Sequence, residues 1–594
     1  MMKYNYILLI LSIVILVGCE DYLDRRDENS SFLTEEDIWR DKNKINGMAF
    51  RLYDTMEWFF ESRYDYNGRQ SAGGGKNYGN SCQFSGEVLN TRSVGGNDKV
   101  MRGDWVAAVN ENFANPDFQM AWEDMWEAVY VSNSILYGID DVTSDVMTKD
   151  EKNQVKGEAF LFRALGYHEL SKRWGAMPYI KEKIFPETEL NLPRPTYKQQ
   201  ITDIVADCDS AIAYLPKVSY LNDPVMMGRM GKAAAMALKS RALTTAASPN
   251  YTVNNESDTE LWEKAAQAAW DLIKLSETSD KVGLYQGDYN NIFHTEPGTI
   301  EGVWPRYYEP SRPSSNLYFH TWLWINIGGY AGLSPTQELV DLYETADGWP
   351  ITDSRSGYDD QNPYENRDPR FYKNILYHGS TWSKFSENET IDMRTDPLGV
   401  DRTTPNGADF GNSKTGYLVR KMLPDKWNSK KYNDSKYINA PYIRMAEIYL
   451  NYAEAVNEAY KNPNAAVPGA SLTAVGALNA VRNRVGMADV RPEFTTDYAV
   501  FQERVRNEFQ VELCFEYHIW FDLIRWRIAH EKLDNYNFHG VKIIDDASAP
   551  TGVRFERFEI PIERRFEEKH YRYPLRLGDL QIFELPEMKQ NPGW

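Results

Sequence analysis

The chain has 594 residues, 86 of them acidic and 66 basic, for a formal charge of −20 at neutral pH. A surface of that sign repels phosphate backbones, which argues against nucleic acid as a partner, and it disfavours a strongly acidic glycan unless a local basic pocket overrides it. The 17 Trp and 38 Tyr exceed what a core needs, and both side chains suit surfaces that are apolar on one side and wet on the other.

The first eighteen residues carry Lys3, an apolar run from Ile7 to Val17, and Gly18. A bilayer span takes about 20 apolar residues, so this shorter run reads as a secretory signal. Leu16-Val17-Gly18-Cys19 resembles a bacterial lipobox, which implies cleavage before Cys19 and acylation of its sulfur and new amine; ordinary signal cleavage is the alternative. The remaining Cys82, Cys208 and Cys514 form no CxxC pair and read as buried thiols. The expected organisation is a signal peptide over 1–18, a lipidated tether over 19–33 and one large unit over 34–594.

Thr34 ahead of Glu35, Glu36 and Asp37 reads as a helix cap, and the helix carries Ile38, Ile45, Met48, Leu52 and Met56 towards Phe60. From Ser62 to Gly103 the chain turns to Gly, Asn, Tyr and Ser, which predicts a long surface loop region. Apolar residues three and four apart predict helices over about 117–140 and 150–175, then over 196–215, 229–248 and 258–276. Between about 280 and 440 the period fades into loops with short strands, and only a segment starting at Ser334 reads as a helix. The period returns over 441–487. There Ile443, Ala446, Tyr449, Leu450, Ala453 and Val456 share one face, and Leu472, Val475, Leu478, Arg482 and Val485 another. Ala453, Ala455, Ala474, Ala477 and Ala480 are small enough for two axes to approach, which predicts an antiparallel helix pair. Beyond it, Glu503, Arg504, Glu508, Glu512 and Glu516 read as a solvated charged stripe, and Trp520 to Trp526 as core.

No HExxH, GxSxG, P-loop or GxGxxG motif is present, and the 8 His are scattered without ligand spacing. With 86 acids a carboxylate pair of the kind glycosidases use is always available, so the sequence leaves a hydrolase open. The acids between Asp347 and Asp360 offer oxygen ligands of the type calcium takes, against the plainer reading of a solvated loop; no other cofactor is indicated. Sugar binding asks for flat rings against pyranose C–H faces and fixed polar groups for the hydroxyls. Loops on a rigid scaffold are where such groups collect. The candidates are Tyr64 and Tyr66 beside Arg69, Trp105 near Asn110, the run Trp304, Arg306, Tyr307 and Tyr308, and the run Tyr318, His320, Trp322, Trp324 and Tyr330. Core packing is the competing reading for each, and alternation from Tyr318 to Trp324 suits a half-buried strand. Trp122, Trp126, Trp174, Trp262 and Trp270 sit on helical stripes and read as core.

The stretches RMAEIYLNYAEAVNE (444–458), ALNAVRNRVGM (477–487), ERVRNEFQVELCFEYHIWFDLIRW (503–526) and KQNPGW (589–594), with CEDYLDRRDENSSFLTEEDIW near the start, resemble the SusD/RagB family of Bacteroidetes outer-membrane lipoproteins. The resemblance covers both ends of the chain; residues 280–440 carry no matching motif. Tyr517, His518 and Ile519 stand where the family usually has Gly and Arg. The resemblance implies a mainly α fold: a TPR-like helix-pair superhelix of four pairs, with its scaffold over about 34–62, 117–277 and 441–532. The loop-rich, partly β regions at about 62–113 and 280–440 would form the ligand-binding face. It also implies a non-enzymatic lipoprotein on the outside of the outer membrane that captures oligo- or polysaccharide and passes it to a SusC-like TonB-dependent β-barrel transporter. A surface glycoside hydrolase and a peptide-capturing RagB-like protein are the alternatives.

Overall fold

The computed structural model describes residues 34–56, 80–90, 97–106, 118, 121–185, 192–308, 333–384, 387–395, 412–423, 426–427, 437–582 and 589–594. Cap chemistry sets where its helices begin. Helix α1 (Lys42–Asp54) starts at Asp41, whose carboxylate accepts the Asn43 amide at 2.8 Å. After α2 (Ala121–Gly138), helix α3 (Lys149–Trp174) opens on a capping box: Thr148 Oγ1 accepts the Glu151 amide at 3.3 Å, and Glu151 accepts the Thr148 amide at 2.9 Å. From Gln154 to Trp174 α3 is buried almost all round, so it runs through the middle of the body rather than over its surface.

Each long helix packs on the next: α2 on α3, α3 on α4 (Tyr197–Tyr214), α4 on α5 (Lys232–Ala247), and α5 on α6 (Thr259–Ser276). Helix α6 then packs on α7 (Met445–Tyr460), which packs on α8 (Ala474–Asn483) and α9 (Tyr498–Glu512). The result is a helical, TPR-like stack, as the sequence resemblance implies. Alanines make the close approaches: Ala453, Ala455, Ala474 and Ala477 are fully buried between α7 and its partners. A short helix α10 (Ile519–Arg525) follows α9 and buries Trp520, with Trp526 just beyond. No helix among the described residues is long and apolar enough to cross a membrane.

Residues 277–444 leave the stack at the end of α6 and return at the start of α7, two helices that lie against each other. The insertion mixes short helices with short strands, one of which pairs with a strand from outside it. Strand β1 (Val88–Asn90) pairs antiparallel with β3 (Leu333–Pro335), while β2 (Gly302–Tyr308) pairs antiparallel with β4 (Ile438–Arg444), with a bulge around Trp304. Near the C-terminus β5 (Phe538–Asp545) and β6 (Val553–Ile560) form a hairpin.

Several boundaries differ from expectation. Residues 441–444 are strand rather than the first turn of α7, and Ile443, assigned above to a helical stripe, is buried in β4. Proline lacks an amide hydrogen, and Pro441 sits opposite Pro305 beside the bulge, where a missing ladder bond is tolerated. Ser334 and Pro335 likewise belong to β3; the helix after them, Gln337–Asp341, starts on the Thr336 cap. Cys82, Cys208 and Cys514 are buried free thiols, as expected.

Candidate functional site

Strand β2 carries four of the predicted site residues, and its bulge sends them to different places. Trp304 is fully buried: its ring lies edge-on to Phe162 and Tyr442 at 5.6 and 5.4 Å, and its Nε1 donates to Met56 Sδ at 3.2 Å. It is core, which corrects the expectation of a ligand platform. Arg306 and Tyr307 follow, both half-buried, and Tyr308 closes the strand opposite Ile438. The Tyr307 ring pairs with that of Tyr437 at 5.9 Å and 32°, and burial pushes its phenol up to about 12. Two glycines let backbone approach this ring. A Cβ on Gly298 (φ +120°) would stand 3.0 Å from Tyr307 Cε1, and one on Gly228 (φ +90°) would stand 3.9 Å from Cδ2. Opposite Tyr307 in the ladder is Asn439, whose Nδ2 donates to the Ile292 carbonyl at 3.1 Å while its buried Oδ1 has no partner among the described residues.

Tyr64, Tyr66, Arg69, Asn110, Tyr318, His320, Trp322, Trp324 and Tyr330 lie outside the described residues. Of the predicted aromatic positions, the described structure therefore brings together only Tyr307 and the backbone of Tyr308. Tyr437, absent from the sequence reading, joins them, and nothing in its local pattern set it apart.

Trp105 lies in a different place. Its ring is 1% exposed and packs among Phe118, Trp520, Phe566, His570, Tyr573 and Trp594, stacked on Trp594 at 5.8 Å and 24°. Its Nε1 is satisfied by the Val100 carbonyl at 2.9 Å. The expectation that it faces ligand is corrected: Trp105 sits at the centre of an aromatic core, with Trp594 stacked against it. Between Asp347 and Asp360, Asp353 is turned onto Arg355 (2.6 Å), and no group of three or more His, Cys, Asp or Glu among the described residues is arranged to hold a metal.

The charged stripe of α9 is the larger surprise. Glu503 is exposed, but Glu508 and Glu512 are fully buried and Glu516 is 9% exposed, so the solvated-face reading fails for three of its acids. Arg444, at the junction of β4 and α7, donates to Glu516 (2.8 Å), Glu301 (2.8 Å), Glu512 (2.7 Å) and the Glu512 carbonyl (2.8 Å). Lys421 holds Glu516 at 2.7 Å, and Arg484 reaches both Glu301 and Glu512. Arg370 binds Asp368 (2.7 Å), Glu512 (2.9 Å) and Glu508, while Arg482 joins Glu508 (3.0 Å) to Glu344 (2.8 Å), which Arg504 also meets at 3.1 Å. Carboxylates and cations are equal in number, so the network is electroneutral. Burial alone would raise the carboxyls, yet the surrounding cations hold Glu512 well below the usual range and lower Glu516 as well. Acids locked in this way neither give nor take protons near neutrality. Their work is to fasten the insertion, which supplies Glu301, Glu344, Asp368, Arg370, Lys421 and Arg444, onto α8 and α9. Where the resemblance places Gly and Arg, His518 sits between Glu447 (3.2 Å) and Asp522 (3.4 Å), and Glu516 takes its cations from distant segments.

A family model described as the SusD family matches residues 304–594, and a second, described as starch-binding associating with outer membrane, matches residues 21–243. The chain is 22% identical over 440 residues to a SusD-like protein of Bacteroides ovatus, covering 73% of this chain and 69% of that one. It is 21% identical over 431 residues to SusD-like protein P2 of Formosa agariphila, covering 69% and 72%. Among solved structures it is similar to a SusD-like protein of Bacteroides fragilis at 25% identity, with a TM-score of 0.69 over 94% of this chain and 99% of that one. A second protein of Bacteroides fragilis, described as a SusD-like carbohydrate binding protein, gives 21% identity and a TM-score of 0.70 over 93% and 100%. Two models that between them reach both ends of the chain, carried on a stack of helix pairs shared with these structures, place this protein in the SusD family.

Proposed function

We propose that this protein is a non-catalytic, cell-surface glycan-binding lipoprotein, anchored in the outer membrane through acylated Cys19. In this reading it captures oligo- or polysaccharide and delivers it to a SusC-like TonB-dependent transporter. The observation that carries the reading is the half-buried Tyr307 ring paired with Tyr437 at 5.9 Å near the end of β2, with the backbone of Gly298 and Gly228 brought close to it. Support comes from the family description as starch-binding and outer-membrane associating, and from a structural relative described as a SusD-like carbohydrate binding protein. Ring stacking plus water-exchangeable hydrogen bonds suffices for a relay with Kd between micromolar and millimolar, about −8 to −4 kcal/mol.

Affinity electrophoresis across a polysaccharide panel tests the reading, with Tyr307→Ala and Trp324→Ala run beside wild type. At least one glycan is expected to retard wild type, and Tyr307→Ala to restore free migration. A panel that leaves wild type unretarded overturns glycan capture, and new reducing ends released by the pure protein would favour a hydrolase. Co-purification of a large β-barrel with the Cys19-anchored protein, lost on proteolytic release from the membrane fraction, tests the partner.

A further inference from the structure

We propose that His518 is a pH-operated clasp: a proton gained as pH falls lets one imidazolium hold Glu447 of α7 and Asp522 of α10 together, and its loss loosens the joint at which β4 enters the stack.

The geometry asks for two ring protons. His518 stands just ahead of α10, with Nε2 3.2 Å from Glu447 Oε2 and Nδ1 3.4 Å from Asp522 Oδ2. A neutral imidazole carries one N–H and one lone pair, so it serves only one of these oxygens. With the hydrogen on Nδ1, the Nε2 lone pair accepts from Arg241 Nη2 at 3.3 Å but also faces the Glu447 oxygen. With the hydrogen on Nε2, Asp522 Oδ2 is left over, a buried oxygen with no hydrogen-bond partner among the described residues. A ring protonated on both nitrogens serves both acids.

The joint gathers four elements. Arg241 of α5 donates to Glu447 Oε1 at 2.6 Å and to the Tyr442 carbonyl of β4 at 2.7 Å. Arg525 of α10 donates to Asp522 Oδ1 and to Glu454 of α7, both at 2.7 Å. Helix α3 brings His168, Glu169 and Lys172 close to Arg241 and Glu447, and Tyr442 donates its hydroxyl to Glu169 at 2.5 Å.

Burial works against each charge here, yet Glu447 holds Arg241 above its usual value, and Glu454 and Asp522 do the same for Arg525. Arg241 and His518 hold Glu447 well below the carboxylate range, and Arg525 and His518 lower Asp522. Burial takes His168 down to about 3 despite Glu169. Each of these shifts carries its group away from neutrality. For His518 burial is opposed by Glu447 first and Asp522 after it, and the ring ends above its ordinary 6.5. Its side chain is 17% exposed, so a proton reaches it without unfolding. A group raised in the folded state gives stability that is full below its unfolded value, about 6.5, and is lost as pH rises through the folded one.

The experiment follows denaturant unfolding rates of the full protein from about pH 5.5 to 9 for wild type, His518→Gln and His518→Arg. At the acid end wild type should unfold about tenfold more slowly than His518→Gln, the order of one charge-assisted hydrogen bond. At the alkaline end the two should agree within about twofold. The rate ratio of His518→Arg to His518→Gln should stay constant throughout, because a guanidinium keeps its charge. A ratio of wild type to His518→Gln that is flat, or that widens with pH, overturns the inference, since a histidine serving only as packing would matter equally at every pH. In protein labelled with 15N-histidine, the ring signals that His518→Arg removes should titrate above 6.5 and show both nitrogens protonated at the acid end. A ring that titrates below that value overturns the inference whether or not His518→Gln folds.

Discussion

Replacing Arg444 with Met keeps the length of the side chain and removes its charge from the centre of the buried network. Arg444 is 1% exposed and touches Glu301, Glu512 and Glu516 at once. Deleting one partner of a buried ion pair costs about 3–5 kcal/mol, because the surviving charge has neither water nor a counter-ion. Here Arg484 and Lys421 still face the same acids, so the lower end, about 3 kcal/mol, is expected. At 1.4 kcal/mol per decade this is up to about 150-fold in unfolding rate at fixed denaturant, followed by tryptophan fluorescence. The pH dependence makes the test specific. A carboxyl held low in the folded state contributes stability that is fully present above its unfolded value, about 4.3, and is lost as pH falls through the folded value. Glu512 and Glu516 are of this kind. The deficit of the variant should therefore be full at pH 7 and shrink below about pH 4. Arg40→Met, which removes an exposed pair with Glu36, should cost under about 1 kcal/mol at either pH. A deficit that small for Arg444→Met at pH 7, or one unchanged down to pH 3, refutes the reasoning.

Trp105→Ala should destabilise the chain by about 3–5 kcal/mol in thermal or chemical unfolding, yet leave glycan retention intact well below the melting temperature. Retention lost by the folded variant would mean the ring reaches ligand after all. Asn591→Ala removes donors to the carbonyls of Trp174 (3.0 Å) and Tyr573 (2.7 Å) and an acceptor for Arg194 (3.0 Å); about 1–3 kcal/mol should be lost, read as a lowered Tm. Burial pushes the Cys82 and Cys208 thiols up, and Cys514 to about 11, so a maleimide should label them only after denaturation. Labelling within minutes in native buffer would contradict the packing.

Helices were legible because a 3.6-residue period survives in one-sided burial: Trp122 marks α2, and Trp262 and Trp270 mark α6, in the sequence as in the structure. The period says which residues share a face but not what covers that face. Glu508 and Glu512 are correctly spaced for one stripe, yet their cations come from residues as distant as Arg370 and Arg444, so the sequence offered no sign that water is excluded. The same limit applies to single rings. Trp304 and Tyr307 are neighbours in a Pro-containing stretch, and only the bulge opposite β4 decides that one is walled in and the other half-open. The β5–β6 hairpin escaped the sequence reading, although Val553 and Phe555 inward with Arg554 outward do alternate.

The insertion enters and leaves between two helices that already touch, so its ends are held together by the scaffold whatever lies between them. Closure entropy grows only with the logarithm of length, about 0.6 kcal/mol per doubling. The segment can therefore be lengthened, shortened or exchanged at little entropic cost to the scaffold. The residues that resist such change are the few whose opposite charges clip it to the stack.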